Sequence, residues 1–389
     1  MKVPLLDLKL QYLALKSELD KAILRVAESQ YFILGPEVQK MEKEFCEFLG
    51  CKYASGVSSG TDALLLALMA IDIKPGDEVI VPTFSFFATA GVVSRMNATP
   101  VLTDIDPVSF NIDPIEIEKK ITSKTRAIMP VHLYGQSADM DPIMKIAENH
   151  KLTVIEDGAQ AISAQYKDGS SAGTIGDIGC YSFFPTKNLG CYGDGGLAVT
   201  NNDELEHLMR IKRVHGGEPK YYHKVIGGNF RLDALQAAVV NVKLPYLNGW
   251  SESRRKNAER YNRLFKDAGL AEETGRVEFD ENNMVLLPKA VYKDLDGLSD
   301  YHIYNQYIIR IKQRDKLRQF LADNDIGTEI YYPVPFHLQE CFSDLGYKYG
   351  DFPRAEEAAN NSLALPVYPE LQDEQLIYVV EKIKDFIKG

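Results

Sequence analysis

Thr153-Val154-Ile155-Glu156-Asp157-Gly158-Ala159-Gln160 reads as a short β-rich run that ends on two carboxylates and breaks at a glycine. Three runs of the same kind lie upstream, at Glu78–Pro82, Thr99–Ile105 and Arg126–His132. They start at residues 78, 99, 126 and 153, so successive starts are 21, 27 and 27 residues apart, with helix-compatible sequence between most of them. That is the spacing of βαβ units, and it predicts an α/β fold with a mainly parallel sheet covered by helices. Ser59-Gly60-Thr61-Asp62 followed by Ala63–Ala70 predicts a capped helix entry, and Asp203–Val214 and Leu232–Leu244 predict two further helices. Ligands of open parallel sheets collect beyond the carboxyl ends of the strands, so the residues at those ends are the first candidates for chemistry.

The remaining sequence sets the outer limits. A chain of 389 residues accommodates one large α/β domain and a smaller one. The pattern changes near Pro245–Trp250, which predicts a large domain over residues 1–245, with an N-terminal helical segment, and a small C-terminal α+β domain over 246–389. The expected elements of the second part are a basic amphipathic helix over Ser251–Leu264, a strand over Ile303–Ile311 and a helix over Arg314–Asn324. A strand over Gly327–Tyr331 and a closing helix over Asp373–Ile387 complete it. The longest purely apolar run, Ala63–Ile71, is far short of the ~20 residues of a spanning helix. Met1–Leu8 does not read as a signal peptide, so a cytoplasmic, membrane-free protein is expected. Forty-four basic against 55 acidic residues leave a net charge of −11, which argues against a nucleic-acid partner. The five cysteines (Cys46, Cys51, Cys180, Cys191, Cys341) form no CxxC, so neither a metal site nor a disulfide framework is expected.

Glycine is concentrated: eight of the 28 lie within Gly169–Gly196, marking a segment of tight turns and close backbone approach. It carries Tyr181-Ser182-Phe183-Phe184-Pro185-Thr186-Lys187-Asn188-Leu189-Gly190, running into Cys191-Tyr192-Gly193-Asp194-Gly195-Gly196. An isolated lysine reads as a solvated surface charge, and an isolated strand-end Asp as a helix cap. Lys187, however, sits among apolar and glycine neighbours, where a lysine can lose its proton and attack a carbonyl. A Schiff-base lysine and an Asp facing a pyridinium nitrogen are the two protein groups that pyridoxal 5'-phosphate (PLP) chemistry needs, and Lys187 and Asp157 supply them. Gly60 and Thr61 at a helix N-terminus, with Ser182, suit a phosphate, and Phe86 in the Pro82–Phe87 loop suits a stacked ring.

These segments resemble the DegT/DnrJ/EryC1/StrS family of PLP-dependent sugar aminotransferases. The likeness rests on Ser59–Leu64, Glu156–Ala161, Ser182–Gly190 and Gly193–Gly196. It continues through Asn229-Phe230-Arg231-Leu232-Asp233-Ala234-Leu235-Gln236-Ala237-Ala238 and Gly327–Pro335, so it spans nearly the whole chain in the family's order. The resemblance implies a fold-type-I aminotransferase in which Lys187 carries PLP, Asp157 pairs with the ring nitrogen and Gln160 contacts the ring hydroxyl. It further implies that Phe86 stacks on the ring, that Gly60, Thr61 and Ser182 hold the phosphate, and that Asn229 reaches it from the neighbouring subunit of a homodimer. Arg231, Tyr331 and Tyr332 match positions that approach a nucleotide-sugar. His337 and Tyr134 read as packing residues near the site.

Lys187 is intact at a position where some family members carry His and act as dehydratases, so the implied reaction is amino transfer. The donor is expected to be glutamate, with pyridoxamine 5'-phosphate as the intermediate form. The acceptor is a keto carbon of a nucleotide-linked deoxy- or acetamido-sugar, UDP- or dTDP-borne, for cell-surface polysaccharide or modified-sugar biosynthesis. A keto-cyclitol or other non-nucleotide ring as acceptor, or a non-catalytic PLP- or sugar-binding regulator, are the alternatives on this scaffold. From His207 to Arg231 six cations (Arg210, Lys212, Arg213, Lys220, Lys224, Arg231) face one acid, Glu218, a stretch that could cover a diphosphate.

Overall fold

The computed structural model describes all 389 residues, Met1–Gly389. Seven strands form the main sheet: β1 (Tyr53–Val57), β2 (Glu78–Pro82), β3 (Thr99–Thr103), β4 (Thr125–Ile128), β5 (Thr153–Asp157), β6 (Ile178–Ser182) and β7 (Gly196–Thr200). Their spatial order is β1-β7-β6-β5-β4-β2-β3. The pairs from β6 through β3 are parallel, and only β7 runs against both its neighbours.

Such a sheet must bury both faces, and its side chains divide between two apolar clusters with the period of two that a strand imposes. Val79, Val81, Ala127 and Ile155 enter one cluster, whereas Ile80, Ile128 and Val154 enter the other. The first face is covered by α3 (Gly60–Ala70) and α4 (Ala88–Arg95), the second by α5 (Pro114–Glu118) and α6 (Met140–His150). Upstream, α1 (Leu8–Ser29) and α2 (Pro36–Leu49) pack on α8 (Ala234–Lys243), which follows α7 (Asp203–Lys212). Ala22 and Val26 meet Ala234 and Ala238, small residues that let two helices approach closely.

A 3-10 turn at Leu244–Tyr246 leads into α9 (Leu247–Asp267). A second, three-stranded antiparallel sheet follows, of β8 (Val285–Leu286), β9 (Tyr307–Ile311) and β10 (Ser362–Leu365) in the order β10-β9-β8. α9, α10 (Arg314–Asp323) and α12 (Asp373–Lys388) enclose one apolar cluster with it. α11 (Pro353–Asn361) instead joins β9 and β10 to the main cluster through Ala355, Ala358 and Ala359.

The runs expected over Thr99–Ile105 and Arg126–His132 end early, at Thr103 and Ile128, and two further expected strands differ more. Gly327–Tyr331 forms none: Glu329 alone bridges to Ala364, and Pro333 and Pro335 downstream have no N–H to extend a ladder. The strand expected over Ile303–Ile311 begins only at Tyr307, because the Ile303 carbonyl accepts the Asn188 side-chain amide and Tyr304 turns into the left-handed region at φ 43°. β1, β6 and β7 were not marked by the spacing of the four β-rich runs.

The junction that places the site is tight. Ser59 caps α3, its hydroxyl accepting the Asp62 N–H at 3.0 Å, an arrangement worth ~1 kcal/mol. The first residue of β7 lies directly against this helix start. A Cβ on Gly196 would stand 2.5 Å from the Ser59 carbonyl carbon and 2.7 Å from the Gly60 nitrogen, and backbone cannot move aside as a side chain can. Gly196→Ala is therefore expected to destabilise the chain by ~1–3 kcal/mol. A denaturant midpoint equal to that of the unsubstituted protein would contradict this packing.

Candidate active site

Parity along β5 sends its two terminal carboxylates to opposite faces. Asp157 shares the side of Ile155 and meets α4: the Thr89 hydroxyl donates to its Oδ2 at 2.8 Å and the Ala159 N–H to its Oδ1 at 3.1 Å. Glu156 goes the other way, into a fully buried setting that its donors satisfy. The backbone N–H groups of Gly173, Ile175 and Gly176 and the His132 ring all point at it. His132 Nδ1 accepts the Ala138 N–H at 3.0 Å, so the ring proton lies on Nε2 and donates to Glu156 Oε2 at 2.7 Å. Glu156 thus anchors the glycine-rich loop, and Asp157 is left for chemistry.

Burial pushes the Asp157 carboxyl above its ordinary range, an effect opposed first by the Thr89 and Ala159 donors and then by the positive charge of Lys187. Lys187 is affected in the complementary sense. Desolvation lowers its ammonium from the ordinary 10.5 to about 8, while Asp157 holds it partly back. A carboxylate and an amine each sensing the other inside a desolvated cleft is the arrangement that perturbed titration at functional sites describes.

The α3 entry adjoins this pair. Gly60 lies so close to β6 that a Cβ there would meet the Ser182 Cβ at 2.7 Å, and the first amides of the helix have no carbonyl four residues back within it. Gly60, Thr61 and Ser182 therefore come together, as the sequence predicts. Gln160 is buried at the other side of Asp157. Its Oε1 accepts the Tyr134 N–H and its Nε2 donates to the Tyr332 hydroxyl, both at 2.8 Å. Phe86 is 55% exposed, and its ring centroid lies 6.2 Å from that of Tyr332. An aromatic face left open beside a polar cleft is available to a planar ligand. Tyr331 belongs to the same corner, its carbonyl accepting the Tyr134 hydroxyl.

Asn229 and Arg231 are placed differently. Asn229 is exposed, joined through its backbone to Val214, and Arg231 is bridged to Val57, with its guanidinium Nε buried and without a partner. The cationic stretch from Arg210 to Arg231 is half consumed by the fold. Arg210 pairs with Glu206 and Glu218, Lys212 donates to the Met69 carbonyl, and Arg213 binds Glu42 and the Gly56 carbonyl. Lys220, Lys224 and Arg231 make no ion pair. His337 is a packing residue, as expected, and a fully tied one. Its Nδ1 contacts the Thr83 hydroxyl at 2.9 Å and its Nε2 the Glu356 carboxylate at 3.0 Å, linking β2 to α11.

Sequence reasoning missed Thr89, the hydroxyl that orients Asp157, and the His132–Glu156 pair. The signal for the pair was present, since His132 and Glu156 both stand at ends of β-rich runs. That they meet follows from the parallel neighbourhood of β4 and β5.

The site can be set beside known proteins. The model of the DegT/DnrJ/EryC1/StrS aminotransferase family matches residues 14–384. A "Pleiotropic regulatory protein" of Geobacillus stearothermophilus is 50% identical over 388 residues, covering 100% of this chain and 99% of its own. A UDP-N-acetyl-3-dehydro-α-D-glucosamine 3-aminotransferase of Acidithiobacillus ferrooxidans is 40% identical over 387 residues, covering 100% of this chain and 98% of its own. Among solved structures, NtdA of Bacillus subtilis with bound cofactor PMP superposes with a TM-score of 0.88 at 32% identity, covering 100% of this chain and 86% of its own.

The depressed ammonium of Lys187 carries a sign. Its amine becomes neutral as pH rises through about 8, so its reactivity toward an electrophile climbs between pH 7 and 9, well before that of ordinary lysines. Reductive methylation read out peptide by peptide is expected to show a midpoint near 8 at Lys187. A midpoint shared with the surface lysines would remove the desolvated cleft from this description.

Proposed function

The chain belongs to the DegT/DnrJ/EryC1/StrS aminotransferase family, and from that premise we propose that it transfers an amino group from glutamate to the keto carbon of a nucleotide-linked sugar, using PLP. The observation that carries the reading is the desolvated Lys187 amine beside the buried Asp157 carboxylate. The Lys187 amine has no hydrogen-bond or ion-pair partner within the chain to offset its burial, and both groups are what this cofactor demands.

The residues present fit the cofactor. Asp157 offers a carboxylate to a ring N–H, Phe86 an open aromatic face, and Gln160 a carboxamide that Tyr134 and Tyr332 already orient. Gly60, Thr61 and Ser182 offer amides and hydroxyls to a phosphate where the α3 entry is pressed against β6, an approach that a Cβ at position 60 would prevent. When bound, PLP supplies an electron sink for the pair released as a Cα–H bond breaks and stores the amino group between the two halves of the reaction.

Within that frame each residue has a definite task. Asp157, held by Thr89 and Ala159, keeps a proton on the ring nitrogen opposite it. Lys187 Nζ, neutral above about pH 8, takes the proton from the donor Cα and delivers it again as the acceptor carbon gains its amine. Asn229, exposed and with no side-chain hydrogen bond in the single chain, is assigned to the phosphate of a partner subunit in a homodimer. Arg231, Tyr331 and Tyr332 are assigned to the nucleotide-sugar. Residues 1–245 are assigned as the cofactor-binding part and 246–389 as the smaller C-terminal part.

The acceptor class is taken from the Acidithiobacillus relative, whose name specifies a 3-dehydro sugar on UDP; a nucleotide-linked 3-keto sugar is the acceptor proposed for this chain. The name of the Geobacillus relative favours a second reading, a non-catalytic regulator. A binder has no use for a neutral lysine, which makes transfer the stronger of the two.

Three measurements separate these. Lys187→Ala is expected to abolish the visible absorbance of protein-linked PLP, and an unchanged spectrum with bound cofactor would sink the assignment. Added glutamate is expected to bleach that absorbance in the unsubstituted protein; a regulator predicts no bleaching. Keto-sugar nucleotides are expected to restore it, whereas recovery with free keto-cyclitols alone would replace the acceptor proposed.

A further inference from the structure

Against the loop that carries Lys187 lies a half-open cavity of about 90 Å³, of whose lining only Tyr331 has been given a role above. It is lined by Thr186, Tyr331, Arg254, Asn305, Gln306 and Leu5, among others. Thr186 is the residue before Lys187, and Tyr331 precedes the tyrosine that holds Gln160, so the cavity borders the loop that carries Lys187.

Its lining residues carry three of the nine buried side-chain polar atoms that lack a partner in this chain. Asn305 Oδ1, Gln306 Oε1 and Arg254 Nε are all buried and all without a hydrogen-bond partner. Buried polar atoms are nearly always satisfied, so three orphans around one small space call for an explanation. Arg254 adds a charge to the account. It is 4% exposed, and its Nη1 donates to the Tyr304 and Val367 carbonyls at 3.0 and 3.1 Å. It makes no ion pair. Glu370 is near enough to be felt but does not bond to it. A buried cation held only by carbonyls costs solvation that an anion would offset. The two carboxamides suit the same ligand, since turning either by 180° presents an NH2 in place of its oxygen. A volume this small suits a carboxylate and a methylene or two.

We propose that this cavity receives a carboxylate of the amino-acid donor, held by Arg254 and by the carboxamides of Asn305 and Gln306. The inference rests on the transfer reaction above and names a subsite for the donor half of it. Arg254, Asn305 and Gln306 bind the donor in this assignment and take no part in moving its proton.

The test uses the PLP-loaded protein and two substitutions. Gln306→Met keeps the length of the side chain and removes its hydrogen bonds. Gln306→Glu keeps the shape and sets a carboxylate beside Arg254. The concentration of glutamate or alanine giving half-maximal bleaching, the corresponding value for the keto-sugar nucleotide, glutarate binding by calorimetry, and Tm are measured for each.

Gln306→Met is expected to raise the half-saturating glutamate concentration at least tenfold and to weaken glutarate binding in step. No internal bond is lost, so its Tm is expected to stay level. Gln306→Glu is expected to weaken the donor further while raising Tm, because the new carboxylate supplies the counter-ion Arg254 lacks. The keto-sugar value is expected to stay within twofold in both. Parallel losses for alanine and glutamate identify the α-carboxylate as the ligand, and a loss for glutamate alone the side-chain carboxylate; either supports the subsite. Unchanged donor dependence, or a larger shift on the sugar side, overturns it. If the unsubstituted protein is bleached by neither amino acid, the transfer reading itself falls; if it is bleached and both variants match it, only the subsite does.

Discussion

A carboxylate and an amine share a desolvated cleft at the centre of this protein, and neither would be stable there without the structure around it. Asp157 is carried to the edge of the sheet by β5, and Lys187 arrives on the loop between β6 and β7. Burial lifts one group and depresses the other, and each moderates the shift of its neighbour. The stabilisation of such a pair in isolation is small or negative, because desolvation consumes most of the attraction. What it provides is a neutral amine close to physiological pH and a carboxylate ready to face a cation.

Much of the surrounding architecture serves to keep that cleft in place. The period of two along β5 separates Glu156 from Asp157, giving one carboxylate to the glycine-rich loop and the other to the site. Three backbone N–H groups and His132 occupy Glu156 completely, which fixes the strand end from below. From above, Thr89 in α4 orients Asp157. The α3 entry is pressed against β6 and β7 at Gly60 and Gly196, where glycine is the residue that leaves room for the backbone to approach. His337 then ties β2 to α11, so the second sheet is referred to the same frame.

Reading the residues in order recovered a large share of this. The spacing of four β-rich runs led to the parallel sheet, and β2 and β5 fall on the residues expected of them. Lys187, Asp157, Gly60, Thr61, Ser182, Gln160 and Phe86 stand out by residue type and position alone, and the fold brings Gly60 against Ser182 and Lys187 within the field of Asp157. Half of the cationic stretch is consumed by the fold: Arg210, Lys212 and Arg213 are held by internal partners. Gly327–Tyr331 looked like a strand because its residue types favour one, but a single bridge to β10 is all its neighbours allow.

By itself, then, the sequence determined what is local or periodic: which runs are strands, where α3 begins, and which residue types meet the chemistry of amino transfer. Family membership follows from the same information, since motifs kept in order along a chain need no geometry to be recognised. Only the tertiary structure decided what depends on residues far apart in the chain. It set Thr89 against Asp157, gave Glu156 to the glycine-rich loop while Asp157 faces α4, and brought Arg254, Asn305 and Gln306 around a cavity lined by Thr186. The physical reason is that burial, and with it charge and hydrogen-bond satisfaction, is a property of neighbours in space.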